Sequence, residues 1–345
     1  MSSVDITGVG LLSKIFDVTI RWYSVVARFS LRVVFMGTPE FAVLSLEHLL
    51  LNQSEVVAVY TQPDRAAGRG RTPVASPVKR VALDWNLPVV QPVNFKASET
   101  VAQLAGFHPD VIVVAAFGQI LPRAVLDIPP YRCINIHPSL LPKFRGASPI
   151  AAAILAGDEF TGTSIMLMER GLDTGPVLAR AQIPISPQDS TGSLTAKLSL
   201  ISAHLLLEVL AGWSRGELAP QPQDDAAATY SGEISKESGS IDWHLPAVAI
   251  WRQVRAFNPW PGSFTNWQGQ PLKILEAVPL PVPAGEPLEV GQVVAFSGGV
   301  AEVGVSTGDG ILGILKVQMA GKRVMSAAEF IRGQRHFVGS VLASN

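Results

Sequence analysis

An amide, an imidazole and a carboxylate lie in one stretch near the middle of the chain. Asn135 and His137 alternate with isoleucines, and Asp173 follows in the segment Gly-Leu-Asp-Thr-Gly. Residues two apart on a strand face the same side, so Asn135 and His137 are predicted to enter one pocket. Together the three groups can stabilise an oxyanion and move protons. That chemistry transfers an acyl group between nitrogens without a metal or a covalent enzyme intermediate.

Each of these residues also has an ordinary structural interpretation. An Asn–His pair near a strand end is often structural, and an aspartate between two glycines is common in turns. The functional interpretation is that Asp173 holds His137 in one tautomer and helps it to move protons. The following loop, Ser139–Pro142, favours this second interpretation, because Pro138 and Pro142 stiffen it as a ligand wall requires.

Continuous apolar runs predict the elements that position these residues. The runs are Leu31–Met36, Val56–Tyr60, Val111–Ala116 and Cys133–Ile136. Such runs, separated by helical stretches, are typical of a parallel sheet covered on both faces. Ligands bind at the carboxyl ends of the strands in these sheets. Gly37, Phe117, Gly118 and His137 follow those ends, so the sequence predicts an α/β fold with a site at that edge.

A second, smaller domain is predicted after a change in composition. Residues 218–237 are polar and rich in proline and alanine, which is typical of an interdomain linker. Short strands with glycine-rich turns follow over 293–296, 301–305 and 311–317, and they indicate a small β-barrel. The predicted parts are an N-terminal extension (1–30), a catalytic domain (31–217), the linker (218–237) and a C-terminal domain (238–345).

Two segments are locally basic. Arg65, Arg69 and Arg71 lie among glycines, and Lys322 and Arg323 lie in a basic C-terminal stretch. Arginines between glycines can follow a phosphate backbone closely, and a small barrel with a basic edge is a common nucleic-acid platform. Both segments could equally be solvated surface, which is the usual fate of clustered charges.

The composition describes a soluble globular protein. The chain has 345 residues, 48% of them hydrophobic and 16% charged, with a net charge of −1. This length allows two domains and a substantial core. No apolar run approaches the length of a membrane span. The single cysteine, Cys133, excludes a disulfide framework and a cysteine-built zinc site, and it favours a reducing compartment.

Other common cofactor motifs are missing. No Gly-Lys-Ser/Thr follows the glycines of the basic loop, so this loop is not a P-loop. The turn that begins at Gly37 lacks the three-glycine dinucleotide fingerprint, which disfavours a dehydrogenase. The histidines other than His137 show no metal-ligand spacing. Cys133 is predicted to be a buried strand residue and not a nucleophile.

These motifs resemble those of the methionyl-tRNA formyltransferase family. The resemblance runs from Leu31 to about Val341. Its strongest blocks are residues 32–43, 62–65, 139–142, 171–175, 234–237, 241–243 and 255–262. The Asn/His/Asp set is shared by the wider formyl-tetrahydrofolate family. The basic loop together with the C-terminal blocks is what points to the tRNA enzyme.

The resemblance implies a Rossmann-like domain that binds 10-formyltetrahydrofolate and an OB-like barrel that helps to hold tRNA. It implies formyl transfer to the α-amine of methionyl initiator tRNA by a cytoplasmic monomer with no metal and no membrane. The implied catalytic residues are Asn135, His137 and Asp173. The implied folate-binding residues are Ser139, Leu140, Leu141, Pro142, Phe117 and Gly118. The implied tRNA-binding residues are Arg65, Arg69, Arg71, Lys236, Lys322 and Arg323.

The implied mechanism is direct transfer. Asn135 would donate a hydrogen bond to the formyl oxygen as it becomes an oxyanion. His137 would either stabilise that oxyanion or relay a proton, and Asp173 would orient it.

Three other functions fit parts of the sequence. A sugar-amine N-formyltransferase would share the Asn/His/Asp site, but it has no need of a wide basic loop. A hydrolase that deformylates folate would leave the second domain without a purpose. A non-catalytic RNA-binding protein would not need the complete Asn135, His137 and Asp173 set.

Two features depart from the family pattern. Leu31 stands where the family usually begins with methionine. We therefore hypothesise that residues 1–30 come from an upstream start and that translation begins at a non-AUG codon for position 31, which the intact mass of the native protein would test. Pro138 stands where many members carry glycine; it stiffens the loop and leaves the chemistry unchanged.

Overall fold

A large mixed sheet flanked by helices is followed by a smaller antiparallel sheet. The computed structural model describes residues 31–67, 72–282, 288–296 and 299–343. The predicted N-terminal extension lies outside the described residues. In the first part the strands are β1 (Arg32–Gly37), β2 (Glu55–Tyr60), β3 (Arg65–Ala67), β4 (Thr72–Val74), β5 (Val89–Val90), β6 (Val111–Ala115), β7 (Cys133–His137), β8 (Arg145–Gly146), β9 (Phe160–Leu167), β10 (Val177–Pro184) and β11 (Tyr230–Ser231). The helices there are α1 (Val43–Leu51), α2 (Pro77–Asp84), α3 (Ser98–Ala105), α4 (Arg123–Leu126), α5 (Pro149–Ala156) and α6 (Thr191–Ser214).

The large sheet has the strand order β10-β9-β7-β6-β1-β2-β5. Strands β5, β2, β1, β6 and β7 are parallel, whereas β9 and β10 are antiparallel to their neighbours. The apolar runs of the sequence predicted β1, β2, β6 and β7, and helices cover both faces of these strands. The predicted α/β fold is confirmed, and the antiparallel edge is added by strands that the apolar runs did not reveal.

The strand that carries the amide and the imidazole has apolar residues on both faces. Ile134 and Ile136 pack into a core formed with α1, α5 and α6. Cys133 packs on the opposite face, in a core formed with α3 and α4. Asn135 and His137 share the face of Cys133, because side chains two apart on a strand point the same way. The isoleucines therefore anchor the strand while its polar residues look toward the other side.

The carboxyl ends of β1, β6 and β7 meet at one edge of the sheet. The chain builds β2 and β5 on one side of β1 and then returns to place β6 and β7 on the other side. Such a reversal of strand order is where open α/β sheets bind ligands. The backbone turns sharply after β6, with positive φ at Ala116 (47°) and Gly118 (80°), and Phe117 lies between them.

The longest helix, α6, is a core helix. By length and composition alone its 24 residues could cross a membrane, although no apolar run of the sequence predicted a membrane span. However, 56% of its most apolar window is buried inside the protein. Leu194, Leu198 and Leu206 pack against the large sheet in the core that also contains α1. Burial against the sheet explains its apolar composition.

The C-terminal part forms its own antiparallel sheet. Its elements are α7 (Ala247–Ala256), β12 (Ser263–Trp267), β13 (Gln270–Leu280), β14 (Val293–Ala295), β15 (Val303–Ser306), β16 (Ile311–Met319), β17 (Met325–Ser326) and α8 (Ala327–Gly333). The strand order is β12-β13-β16-β15-β14, with β17 on β16. Residues near the C-terminus bridge to Asn266 and Gln292 at the two ends of this sheet. The predicted small β-domain is confirmed as an antiparallel half-barrel.

The two parts contact each other through α7 and the segment before it. Arg255 of α7 donates from Nε to the carbonyl of Asp189 (2.8 Å) and from Nη2 to that of Ser186 (3.0 Å). Its guanidinium also lies over the ring of Trp251, 4.3 Å from the ring centroid. Residues 218–237, predicted to be the linker, run along the first part before they enter the second: β11 pairs with β8.

Candidate active site

The structure brings Asn135, His137 and Asp173 together. Asn135 and His137 are buried at the end of β7, and Asp173 lies in the loop between β9 and β10. Asn135 Nδ2 lies 3.4 Å from Asp173 Oδ1, and His137 Nδ1 lies 3.5 Å from Asp173 Oδ2. Asp173 adopts a positive φ of 53°, which is uncommon for a residue with a side chain. The three groups predicted from sequence therefore form one cluster.

The imidazole of His137 is held from its far side. Its Nε2 lies 2.9 Å from the backbone carbonyl of Phe144. A carbonyl can only accept, so Nε2 must carry a hydrogen and donate it. In the neutral ring, Nδ1 is then unprotonated and faces the Asp173 carboxylate. Nδ1 of His137 and Oδ2 of Asp173, both acceptors in this state, thus lie 3.5 Å apart. One proton can be held between them.

The carboxylate of Asp173 is fixed by backbone as well. The N–H of Gly146 donates to Oδ2 at 2.9 Å. Gly146 has a φ of 113°, and a Cβ at this position would lie 2.4 Å from the carbonyl oxygen of Ser231. Only glycine fits such a conformation and such a close approach. The Phe144–Gly146 loop therefore contacts both His137 and Asp173.

The loop predicted to line the folate site, Ser139–Pro142, is tightly bound to β9 and β10. The hydroxyl of Ser164 on β9 donates to the carbonyl of Ser139 (2.7 Å) and accepts from the N–H of Leu141 (3.1 Å). Arg180 Nε on β10 donates to the carbonyl of Leu141 (2.9 Å). The Leu141–Pro142 peptide bond is cis. The loop starts two residues after His137 and has the rigidity expected of a ligand wall.

Leu140 and Leu141 in this loop differ in their surroundings. Leu141 is buried in a small apolar cluster with Met166 and Val177. Leu140 is half-buried, and its side chain lies so close to Gly162 of β9 that a Cβ there would collide with it. Both leucines thus pack against the antiparallel edge of the sheet.

The other predicted folate residues, Phe117 and Gly118, lie at the carboxyl end of β6. The carbonyl of Phe117 accepts hydrogen bonds from Thr38 Oγ1 and Gln62 Nε2, both at 3.1 Å. An apolar groove begins directly after Gly118, and Ile120 is exposed on its wall. The groove is lined by Asn94, Phe95, Lys96, Ala97, Ser98, Val101, Ala102, Ala105, Gln119, Ile120, Pro122 and Ala124. This groove could accept a flat apolar body next to the strand ends.

The basic loop is built on the β3–β4 hairpin. Arg65 is exposed on β3, whereas Arg69 and Arg71 lie outside the described residues. Asp64 anchors the foot of the hairpin: its Oδ2 accepts from Lys79 Nζ (2.6 Å), and its Oδ1 accepts from Gln91 Nε2 (2.8 Å). These hydrogen bonds, that from Lys79 first, lower the pKa of the Asp64 carboxyl. The foot is fixed where the hairpin leaves the sheet.

The other predicted tRNA residues lie on the surface, at the end of the predicted linker and in the second part. Lys236 and Lys322 are exposed, and Arg323 is exposed but donates to Glu329 Oε1 at 3.0 Å. Because no contact joins them to the catalytic cluster, the structure does not bring these residues into the same site within the described residues.

Two side chains that support the cluster from outside, Arg145 and Gln223, were not predicted from the sequence. Gln223 Nε2 donates to the carbonyls of Asp173 and Gly175, each at 2.7 Å. Arg145 is almost completely buried beside it. The position of Arg145, eight residues after His137 and next to Gly146, was a usable signal. Gln223 lies in a Pro- and Ala-rich segment that carries no such signal.

Neither a cysteine nucleophile nor a metal site is found in the described residues. Cys133 is buried, as predicted, and burial raises the pKa of its thiol to about 12. A thiol with that pKa is not a nucleophile at neutral pH. Within the part of the chain that the structure describes, no group of three or more His, Cys, Asp and Glu side chains is arranged to hold a metal ion.

Known proteins match both parts of this chain. The family model described as formyl transferase matches residues 31–210, and the one described as formyl transferase, C-terminal domain, matches residues 233–335. A methionyl-tRNA formyltransferase from Dehalococcoides mccartyi is 52% identical over 311 residues, which are 90% of this chain and 97% of that protein.

Two solved structures share the fold at lower identity. An N-formyltransferase from Helicobacter canadensis, in complex with folinic acid and dTDP-3-aminofucose, has a TM-score of 0.60 at 18% identity, covering 82% of this chain and 99% of that one. HypX from Aquifex aeolicus, in complex with tetrahydrofolic acid, has a TM-score of 0.57 at 18% identity, covering 90% and 48%. At this identity the likeness concerns the fold alone.

Proposed function

This chain belongs to the methionyl-tRNA formyltransferase family, and from that membership we propose that it transfers the formyl group of 10-formyltetrahydrofolate to the α-amine of methionyl initiator tRNA. The observation that carries the proposal is the 52% identity over nearly the full length of a methionyl-tRNA formyltransferase, which includes both domains. The product is N-formylmethionyl-tRNA, and tetrahydrofolate is released.

Asn135 stabilises the oxyanion in this mechanism. The amine attacks the formyl carbon, a C–N bond forms, and the carbonyl oxygen becomes negatively charged. The amide of Asn135 is buried, and it lies on the same face of β7 as His137, beside Asp173. A preorganised amide donor directed at developing charge is a strong source of transition-state stabilisation.

His137 relays the proton. Its Nε2–H is donated to the carbonyl of Phe144, so Nδ1, on the side of Asp173, is the nitrogen whose lone pair can accept a proton. Nδ1 takes the proton that the attacking amine loses and returns it to the folate nitrogen as the C–N bond to folate breaks. Of the two roles that the sequence left open for His137, this geometry favours the relay over oxyanion stabilisation.

Asp173 stabilises the protonated imidazole. Once Nδ1 carries a proton, it faces the Oδ2 of Asp173 as an ion pair. The carbonyl of Phe144 fixes one end of the ring, and the carboxylate of Asp173 lies beside the nitrogen that carries the relayed proton.

The donor site consists of the strand ends around this cluster. Family membership and a tetrahydrofolate-bound structural neighbour support a folate-type formyl donor. We assign Ser139–Pro142 and Phe117–Gly118 to its binding, because these two rigid loops flank the end of β7. The apolar groove beyond Gly118 offers space for the aryl part of the folate.

The acceptor tRNA contacts the basic surfaces. We assign its acceptor end to the β3–β4 hairpin with Arg65, and its backbone to Lys236 at the end of the linker and to Lys322 and Arg323 of the C-terminal domain. Exposed lysines and arginines are the residues that neutralise phosphates. We expect the enzyme to act as a monomer in the cytoplasm, with no metal and no membrane attachment.

Acceptor competition tests this function. The wild-type chain is supplied with 10-formyltetrahydrofolate and, in parallel, with methionyl initiator tRNA, uncharged tRNA or an amino-sugar nucleotide. We expect formyl transfer to the methionyl tRNA alone. Transfer to the sugar alone would leave the catalytic cluster in place, reassign the C-terminal domain, and identify a sugar-amine N-formyltransferase.

A further inference from the structure

A buried guanidinium lies behind the catalytic cluster and has no part in the proposed chemistry. The side chain of Arg145 is about 2% exposed. A buried charge is unfavourable unless it is paired and hydrogen-bonded. Gln223 Oε1 accepts from both Nε (3.1 Å) and Nη2 (3.0 Å) of Arg145, and Asp225 Oδ1 lies 2.7 Å from Nη2. Both partners come from the segment that leads to the C-terminal domain.

The amide nitrogen of Gln223 contacts the loop that carries Asp173. Its Nε2 donates to the carbonyls of Asp173 and Gly175 at 2.7 Å each. This loop contains positive φ values at Gly171 (133°) and Asp173 (53°). A non-glycine residue keeps such a conformation only when its surroundings fix it. Gln223 is a neighbour that does so, through two short hydrogen bonds.

The same segment is bound at two further places, one on each side. Gln221 exchanges backbone hydrogen bonds with Val177 at 2.8 and 2.9 Å, just after the Asp173 loop. Thr229 accepts from the N–H of Arg145 (2.9 Å), and Ser231 accepts from that of Ala147 (3.0 Å). We call residues 221–231 the strap. It joins the loop that carries Asp173 to the loop that holds His137.

We propose that the strap assembles the active site and that Gln223 is a positioning residue for Asp173. Arg145 fixes the Gln223 amide from one side, so its N–H groups point at the Asp173 loop. The residues flanking Arg145 contact His137 and Asp173 directly, Phe144 through its carbonyl and Gly146 through its N–H. The side chain of Gln223 is thus the strap group that positions the Asp173 loop, whereas Gln221 holds the strap through backbone hydrogen bonds. This inference rests on the proposed function for its kinetic test.

The substitution Gln223→Glu keeps the acceptor function of the Gln223 side chain and removes its donor function. A carboxylate still accepts hydrogen bonds from Arg145, so the buried guanidinium remains paired. It cannot donate to the carbonyls of Asp173 and Gly175, and it repels them. Gln223→Ala removes both sets of contacts without adding charge. Gln221→Ala is the matched control, because its side chain is exposed and its backbone bonds to Val177 remain.

The first readout is steady-state kinetics with both substrates, together with thermal melting. A displaced catalytic group lowers turnover, by about 10- to 100-fold for a shift near 1 Å. We expect that loss in kcat for Gln223→Glu and Gln223→Ala, with KM for tRNA and for folate changed less than about threefold. Gln221→Ala should match the wild type. Wild-type kcat in both Gln223 variants, or a loss that only follows the melting temperature, would overturn the proposal.

The second readout does not depend on activity. Hydrogen exchange is measured on the same full-length proteins over residues 144–147 and 171–177. We expect faster exchange in both segments for the Gln223 variants and not for Gln221→Ala, because the strap bonds protect these loops. Unchanged exchange would overturn the positioning role even if the wild-type chain transferred no formyl group. A wild-type chain without activity would overturn only the proposed function.

Discussion

The catalytic cluster and the basic surface of the C-terminal domain use polar residues in opposite ways. His137 is buried, and both of its ring nitrogens face fixed acceptors, Phe144 and Asp173. Lys322 and Arg323 are exposed, and Arg323 pairs with a neighbour that is itself exposed to solvent. Chemistry on a small group requires donors that do not reorganise. Contact with a polyanion requires accessible charge that can adapt to a long surface.

The sheet topology of each domain explains the difference. In the large sheet, parallel strands end at one edge, so side chains from β6 and β7 and from the loops that follow converge there. In the smaller antiparallel sheet, neighbouring strands end at opposite edges, and no single edge collects the loops. The first arrangement produces a compact site, and the second produces a surface.

The largest expected effect comes from removing the imidazole. His137→Ala should reduce kcat by about 10²- to 10⁴-fold, because no group remains to accept the proton of the attacking amine. Binding of tRNA should change only modestly. The measurement is single-turnover formyl transfer together with tRNA affinity. His336→Ala on the exposed C-terminal surface is the control and should leave kcat within about twofold. Near-normal turnover of His137→Ala would remove this residue from the mechanism.

A slightly smaller effect is expected for the oxyanion donor. Asn135→Ala should lower kcat by about 10²- to 10³-fold, the cost of losing one preorganised donor. Asn135→Asp keeps the shape of the side chain and replaces the donor by an acceptor that faces Asp173. It should be at least as slow as Asn135→Ala at neutral pH. If Asn135→Asp were as active as the wild type, the amide would have no donor role.

The strands and the pair on β7 were predictable because their patterns are local. The continuous apolar runs at β1, β2, β6 and β7 indicated a buried parallel sheet, and the two-residue spacing put Asn135 and His137 on one face. The contact with Asp173 is not local. It requires the antiparallel strand β9 to return beside β7 and the following loop to adopt positive φ, and the sequence supplied only the motif for it.

The contribution of residues 218–237 could not be read from the sequence. A polar, Pro- and Ala-rich segment without a period looks like a spacer, and hydrogen bonds from a side chain to distant carbonyls leave no repeating pattern. Gln223 therefore carries no signal, although its amide contacts the Asp173 loop. Helix α6 is a different case: it is long and apolar, and burial against the large sheet explains that composition.

On the basic surface the expected effects are smaller and depend on salt. Lys322→Ala should weaken tRNA engagement a few-fold at limiting tRNA and reduce the salt slope by about 1, as expected for one lost phosphate contact. The kcat at saturating tRNA should stay unchanged. Arg215→Ala, which removes an exposed ion pair with Glu217 on the catalytic domain, is the control. A change in kcat without a change in salt slope would show that this surface does not act through phosphates.

The smallest effect is expected at a pair of histidines that belong neither to the catalytic cluster nor to the basic surface. His48 on α1 and His204 on α6 meet edge to face, 4.8 Å between ring centroids. Burial, and then the charge of His48, lower the pKa of His204. The unfolded chain then binds protons more readily than the folded one, so the free energy of unfolding should fall as the pH drops below about 6.5 and recover above it.

His204→Gln should flatten that dependence in thermal melting while leaving kcat at neutral pH unchanged. An unaltered pH dependence of melting would assign the acid sensitivity to other groups. If His204→Gln lowered kcat, His204 would not be a purely structural histidine, and the distinction between it and His137 would be wrong.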